Sequence, residues 1–199
     1  MATSDDRVRL QFDEATHTYT VDGAVLPSVT QILDDLGLID KTYYTQETAD
    51  RGTSIHEAIY WIENNVLTYK TFEGNEQLAP YLEAWRSFRE TSGITIKEME
   101  ARRYHQTMRY GGTIDLIAQY KGKAIIDIKS GLTQAWHGVQ LAAYAELEED
   151  VKHRYILELH NTGKFSLVEH YKAHAFTEPM WRKAWVAAAT LHAWRRMWD

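Results

Sequence analysis

The sequence predicts an α/β protein of one 199-residue domain, with a central mixed β-sheet flanked by helices and a β-hairpin at the N-terminus. Three observations lead there. Apolar residues recur at helical spacing in two segments before residue 93. From Ile94 the period shortens to that of strands through three consecutive runs. A further helical segment then separates these runs from two more strands, the order of a mixed sheet covered by helices.

In chain order, Val8–Phe12 and His17–Val21 read as the hairpin (within 1–27), and Asp22-Gly23 turns the chain into a short Ala24–Leu26 piece. Ser28 with Gln31 three residues on forms a capping box, and Gly37 stops that helix. The apolar stripe Ile55, Ala58, Ile59 and Ile62 predicts a helix over Thr53–Asn65. Leu78, Leu82, Trp85 and Phe88 predict another over Glu76–Thr91, ended before Gly93. Strands follow at Ile94–Tyr104, Thr113–Tyr120 and Lys123–Lys129, the last two joined at Lys121-Gly122-Lys123. A helix over Trp136–Glu149 precedes strands at Arg154–Leu159 and Lys164–His170, which turn at Asn161-Thr-Gly163. A long helix, Glu178–Trp198, closes the chain; its Trp181, Trp185, Trp194 and Trp198 are expected to pack rather than to stack nucleotides.

Composition narrows the chemistry. With no cysteine, disulfides, thiolate zinc sites and cysteine-held iron–sulfur clusters are excluded. No signal peptide and no apolar run long enough to span a bilayer are visible, so a cytoplasmic protein with no membrane partner is expected. The net charge of −6 is unevenly spread: residues 1–50 hold ten acids and three bases, a net −7, which leaves +1 for the rest. The segment Ala101–Tyr110 carries Arg102, Arg103 and Arg109 and no acid, a stretch suited to phosphate. There is no phosphate-cradling Gly-x-x-x-x-Gly-Lys-Ser/Thr and no Gly-x-Ser-x-Gly elbow. His56-Glu57-Ala-Ile-Tyr60 has tyrosine where a zinc protease needs its second histidine.

The informative stretch is Gly111-Gly-Thr-Ile-Asp115 followed by Asp127-Ile-Lys129-Ser130-Gly131. Side chains alternate along a strand, so Asp127 and Lys129 share one face while Ile126 and Ile128 take the other. Two hairpin-linked strands then bring both acids and the lysine to one patch. Carboxylate oxygens suit a hard cation such as Mg2+ or Mn2+, and a lysine beside them can hold a phosphate or an attacking water. That is equipment for metal-assisted phosphodiester hydrolysis. His56 falls at the edge of the apolar stripe of its helix, aimed at the sheet, where a neutral imidazole can complete a metal shell.

Four spaced motifs stand in order across 52–144: Gly52-x-x-x-His56, Gly112-x-x-Asp115, Asp127-x-Lys129 and Gln140-x-x-x-Tyr144. In this the chain resembles a RecB-type nuclease of the PD-(D/E)XK superfamily, similar to small phage and recombination exonucleases. The resemblance implies a restriction-endonuclease-like core and one or two Mg2+ or Mn2+ ions held by His56, Asp115, Asp127 and the Ile128 carbonyl. It implies Lys129 acting on the attacking water and the phosphate, and Gln140 and Tyr144 supporting the site. Glu100 stands where relatives often keep an acid, which would bind a second metal or a metal-bound water; a solvent-facing glutamate paired with Arg102 is the alternative reading. Arg51, Arg102, Arg103 and Arg109 are candidates for phosphate contact. The expected activity is a metal-dependent DNA exonuclease in recombination or DNA processing. Its partner would be DNA at linear ends, single-stranded or duplex, with a recombinase or single-strand-binding protein as a further partner. Two alternatives stay open: an endonuclease on the same site, and a protein that keeps the fold to bind DNA or a recombinase without cleaving.

Overall fold

A computed structural model describes residues 10–42, 44–169 and 178–198. Strands β1 (Leu10–Asp13), β2 (Thr18–Val21) and β3 (Ala24–Leu26) form a small antiparallel sheet. Asp22 and Gly23 make its tight turn at φ of 52° and 78°, as a two-residue hairpin loop of this sequence requires. The helix α1 (Val29–Asp35) starts at the Ser28 capping box, with Gln31 N–H donating to Ser28 Oγ at 3.0 Å and Ser28 N–H to Gln31 Oε1 at 2.8 Å. Then come α2 (Gln46–Glu63), a 3-10 turn at Tyr69–Phe72 and α3 (Ala79–Thr91).

The main sheet is mixed and five-stranded, in the order β4 (Thr95–His105), β5 (Tyr110–Gln119), β6 (Lys123–Lys129), β7 (His153–Leu159), β8 (Phe165–Glu169). Only β6 and β7 run parallel; α4 (Trp136–Leu147) makes the crossover between them. The chain ends in α5 (Glu178–Arg195). Helices cover both faces. Ala124, Ile126 and Ile128 of β6 pack with α2 and α3 around Trp85 and Phe88. Ile125 packs on the other side with α1, α4 and α5 around Tyr110 and Trp185. Burial of each such large side chain contributes about 1.5–3 kcal/mol.

The expected α/β architecture with its flanked mixed sheet and N-terminal strands is present; some boundaries move. α2 begins at Gln46, not Thr53, because Thr45 and Thr48 cap each other, at 3.2 Å for Thr48 N–H to Thr45 Oγ1 and 3.0 Å for Thr45 N–H to Thr48 Oγ1. Gly52, which reads as a boundary, lies inside the helix. α3 starts at Ala79, where Pro80 suits the first turn. β5 begins at Tyr110 because Gly111 and Gly112 are buried strand residues. The last helix stops at Arg195: Trp181 and Trp185 are buried as expected, whereas Trp194 and Trp198 are exposed. Val8, Arg9 and His170 of the expected strands lie outside the described residues. Among the described residues no helix is long and apolar enough to cross a membrane.

Candidate functional site

The site forms where β5 and β6 part. Their pairing runs from Gln119–Lys123 to Leu116–Ile126, and there the ladder ends. Beyond it the Ile128 N–H, two residues past Ile126, donates instead to Asp115 Oδ2 at 2.6 Å, so a carboxylate takes the place of a backbone acceptor. Asp115 is thereby fixed at the opening between two strands. Asp127 and Lys129 face α4, as alternation requires, with Lys129 Nζ 2.8 Å from Asp127 Oδ2, an ion pair rather than a well-aligned hydrogen bond. The same ammonium donates to Gln140 Oε1 at 3.2 Å, and Gln140 Nε2 donates to the Tyr144 hydroxyl at 3.1 Å. Gln140 and Tyr144, one turn apart on α4, thus hold Lys129 in place.

Glu100 approaches from β4. Between the pairs Met99–Leu116 and Ala101–Ile114 it stands opposite Asp115 with φ of 48°, a left-handed backbone that a glutamate on a strand rarely adopts. Such a conformation costs about 1–3 kcal/mol and persists only where the surroundings impose it. From α2, His56 reaches across 72 residues of sequence to place Nε2 3.1 Å from the Ile128 carbonyl. A carbonyl only accepts, so Nε2 carries the proton and Nδ1 is turned to the acids, 3.5 Å from Glu100 Oε1 and 3.8 Å from Asp115 Oδ1. Among the described residues, His56, Glu100 and Asp115 form a cluster whose donor atoms all lie within 4.8 Å of one another. One imidazole nitrogen and two carboxylates make a donor set that fits a divalent cation.

Asp127 and Glu100 stand differently toward this cluster. Asp127 does not join this cluster: it is 2% exposed and sits beneath the cleft floor, paired with Lys129. Glu100, for which the sequence left a metal-binding and a solvent-facing role open, converges with His56 and Asp115. The Ile128 carbonyl faces His56 and orients the ring.

Electrostatics at the site are strongly perturbed. Desolvation alone would lower the His56 pKa, but Asp115 and Glu100 override it and push the group up to about 9. Burial raises Asp127 to about 6 against the pull of Lys129, with Asp115 adding to the rise. Burial likewise raises Asp115, opposed by His56. Tyr144 is held well above its ordinary value by burial and by Asp127 and Asp115. Unmetallated, the cluster keeps a proton on His56 to balance its acids.

A cleft of about 670 Å³ opens over this cluster, between the small sheet, α1, α2 and the Ser130–Trp136 segment. Arg51 lines it, with its guanidinium 5.7 Å from the Tyr81 ring and its buried Nε without a hydrogen-bond partner. Arg102 lines it too, ion-paired with Glu14 at 2.7 Å. Arg103 and Arg109 are not brought there. The Arg103 side chain is buried against Glu98 at 2.6 Å and Glu148 at 2.9 Å, away from the cleft lining; Arg109 is exposed at the β4–β5 turn.

Sequence reasoning missed the contribution of the small sheet. Phe12, His17 and Tyr19 form one wall of the cleft, and Tyr19 OH bonds Thr113 Oγ1 at 2.6 Å. Gly111-Gly112 is its signal. A Cβ at Gly111 would lie 2.5 Å from Tyr19 Cγ, and one at Gly112 2.9 Å from Leu147 Cδ1, so both glycines mark close approaches. Compared with family models and with curated proteins, the chain matches none.

Proposed function

We propose that the protein is a metal-dependent deoxyribonuclease with a restriction-endonuclease-like core, acting as an exonuclease in DNA recombination or processing. One observation carries the reading. His56, Glu100 and Asp115 converge at the end of a strand pair beside Lys129, with their donor atoms within 4.8 Å. The order of the four motifs, resembling that of RecB-type nucleases, selects phosphodiester chemistry among the reactions such a cluster serves. Mg2+ or Mn2+ bound there would supply Lewis-acid polarisation of the phosphate and a lowered pKa for water. His56 Nδ1, Glu100 and Asp115 would hold the ion, and Asp127 serves through Lys129 rather than as a ligand. Lys129, steadied by Asp127 and Gln140, orients the attacking water and stabilises charge building on the phosphate. Water gives up a proton and adds to phosphorus, the bond to the 3′ oxygen breaks, and that oxygen takes a proton from water, so products carry 5′ phosphates. Arg51 supplies a cation for the DNA backbone.

End-labelled linear DNA and covalently closed circles, incubated with Mg2+, Mn2+ or chelator, test this. Progressive, metal-dependent shortening of linear DNA with circles spared is the expected result. Nicking of circles would favour the endonuclease alternative. Binding without cleavage under every metal would leave the non-catalytic DNA-binding protein.

A further inference from the structure

The wall of the cleft built by the small N-terminal sheet has no part in the chemistry above, yet it is continuous with the site. Arg102 lies two residues beyond Glu100 on β4, about 6.6 Å along an extended strand. Its guanidinium lies over the Phe12 ring, 4.5 Å from the centroid, and Glu14 holds it there at 2.7 Å. The Phe12 ring packs in turn on Tyr19 at 4.7 Å and meets the His17 ring edge-on at 5.0 Å. His17 is exposed and sits at φ of 52°, so its ring is displayed from the turn between β1 and β2. The opposite side of the same cavity carries Tyr44, 63% exposed, and Leu132, 83% exposed.

From this we infer that the cleft takes unpaired DNA, with bases stacked on the Arg102 and His17 planes while the neighbouring phosphate reaches the His56–Glu100–Asp115 cluster. The inference rests on the nuclease reading for what lies at that cluster. Three features select this occupant. Planar π-faces with a cation among them bind single strands of any sequence, because every base has a face to stack. The cavity is of small-molecule size, with room for a few nucleotide groups inside it. Exposed Tyr44 and Leu132 provide apolar surface for bases, which duplex DNA keeps inside its stack.

Binding is measured in chelator, so that cleavage plays no part, using oligonucleotides with 2-aminopurine in an unpaired tail and blunt duplexes of the same length. Wild-type protein should bind the tails and quench the probe. Arg102→Lys keeps the charge and removes the plane; His17→Asn keeps a residue that tolerates the left-handed backbone. Each should weaken tail binding about tenfold, the loss of one stacking contact, with the salt dependence and blunt-duplex binding nearly unchanged. Wild-type affinity in both variants, or equal losses on tails and blunt duplex, overturns the inference. The outcomes separate cleanly. A wild type that binds and quenches tails but never cleaves ends the nuclease reading and leaves the stacking of unpaired bases on Arg102 and His17. Metal-dependent cleavage with tail binding unaffected by either substitution does the reverse.

Discussion

Strand β4 carries two charged clusters that differ in nearly every respect. At Arg103 the charges are settled: the buried guanidinium meets Glu98 and Glu148, and Glu148 also takes Lys123 at 2.5 Å. Three residues away, at Glu100, two acids and a histidine crowd together on a left-handed backbone, with a proton on His56 making up the balance. The first arrangement is complete without a ligand. The second is strained and mostly acidic, and opens into a cleft. Charge satisfaction, rather than charge density, separates a structural network from a site.

Substitutions on the two sides should therefore fail in opposite ways. Asp115→Asn is expected to lower metal-dependent cleavage on the order of a thousandfold, about 4 kcal/mol of transition-state stabilisation, by weakening the cation site. Melting of the metal-free variant should stay near wild type or rise, since a buried acid facing Glu100 has been neutralised. Cleavage kinetics beside a thermal melt decide it, and full activity in a folded Asp115→Asn protein would break the contrast.

Arg103→Met should do the converse, costing roughly 3 kcal/mol of stability by leaving Glu148 with Lys123 alone, while the folded fraction keeps its activity. Urea unfolding provides the number. A neutral effect would mean that this network is not the structural one.

The third expectation concerns pH. His56 has its pKa raised from 6.5 to about 9, so its contribution to the metal-free fold is complete below pH 6.5 and disappears as pH rises through about 9. Asp127, raised from 3.8 to about 6, acts in the same direction lower down: its contribution is present below 3.8 and lost through about 6. The metal-free melting temperature should fall across both windows, and His56→Ala should remove the upper step. Because a proton must leave His56 before Nδ1 can bind an ion, Mn2+ affinity should rise about tenfold per pH unit between about pH 7 and 9. Calorimetric titration at several pH values measures this, and a flat affinity would sink the role given to Nδ1.

Periodicity made the architecture legible: the strand run from Ile94, the Ser28 capping box and the apolar stripe on α2 all appear as the pattern requires. What it left unread was contact across distance. Arg102 and Arg103 are neighbours in one basic stretch, yet one lines the cleft and the other is buried between Glu98 and Glu148, the latter 45 residues away. Alternation put Asp127 and Lys129 on one face correctly, and could not say that the ladder stops at Leu116, which leaves Asp115 at the opening and Asp127 below. Glu100 was ambiguous for a similar reason: alternation assumes ordinary strand backbone, and its φ is not ordinary.

That inverted residue also gives β4 a fixed reading frame. Met99 packs with the α2–α3 layer and Ala101 with the α4–α5 layer, although alternation would set them on the same side. The strand changes sides at Glu100, just after an irregularity between Ile96 and Glu98. Side chains of β4 away from the site are therefore free to drift within their size and polarity, but the count of residues is not. Gain or loss of one residue between Ile96 and Ala101 would turn the acid out of the cleft and bring a neighbour in, so the segment that equips the site is also the one least tolerant of insertion or deletion.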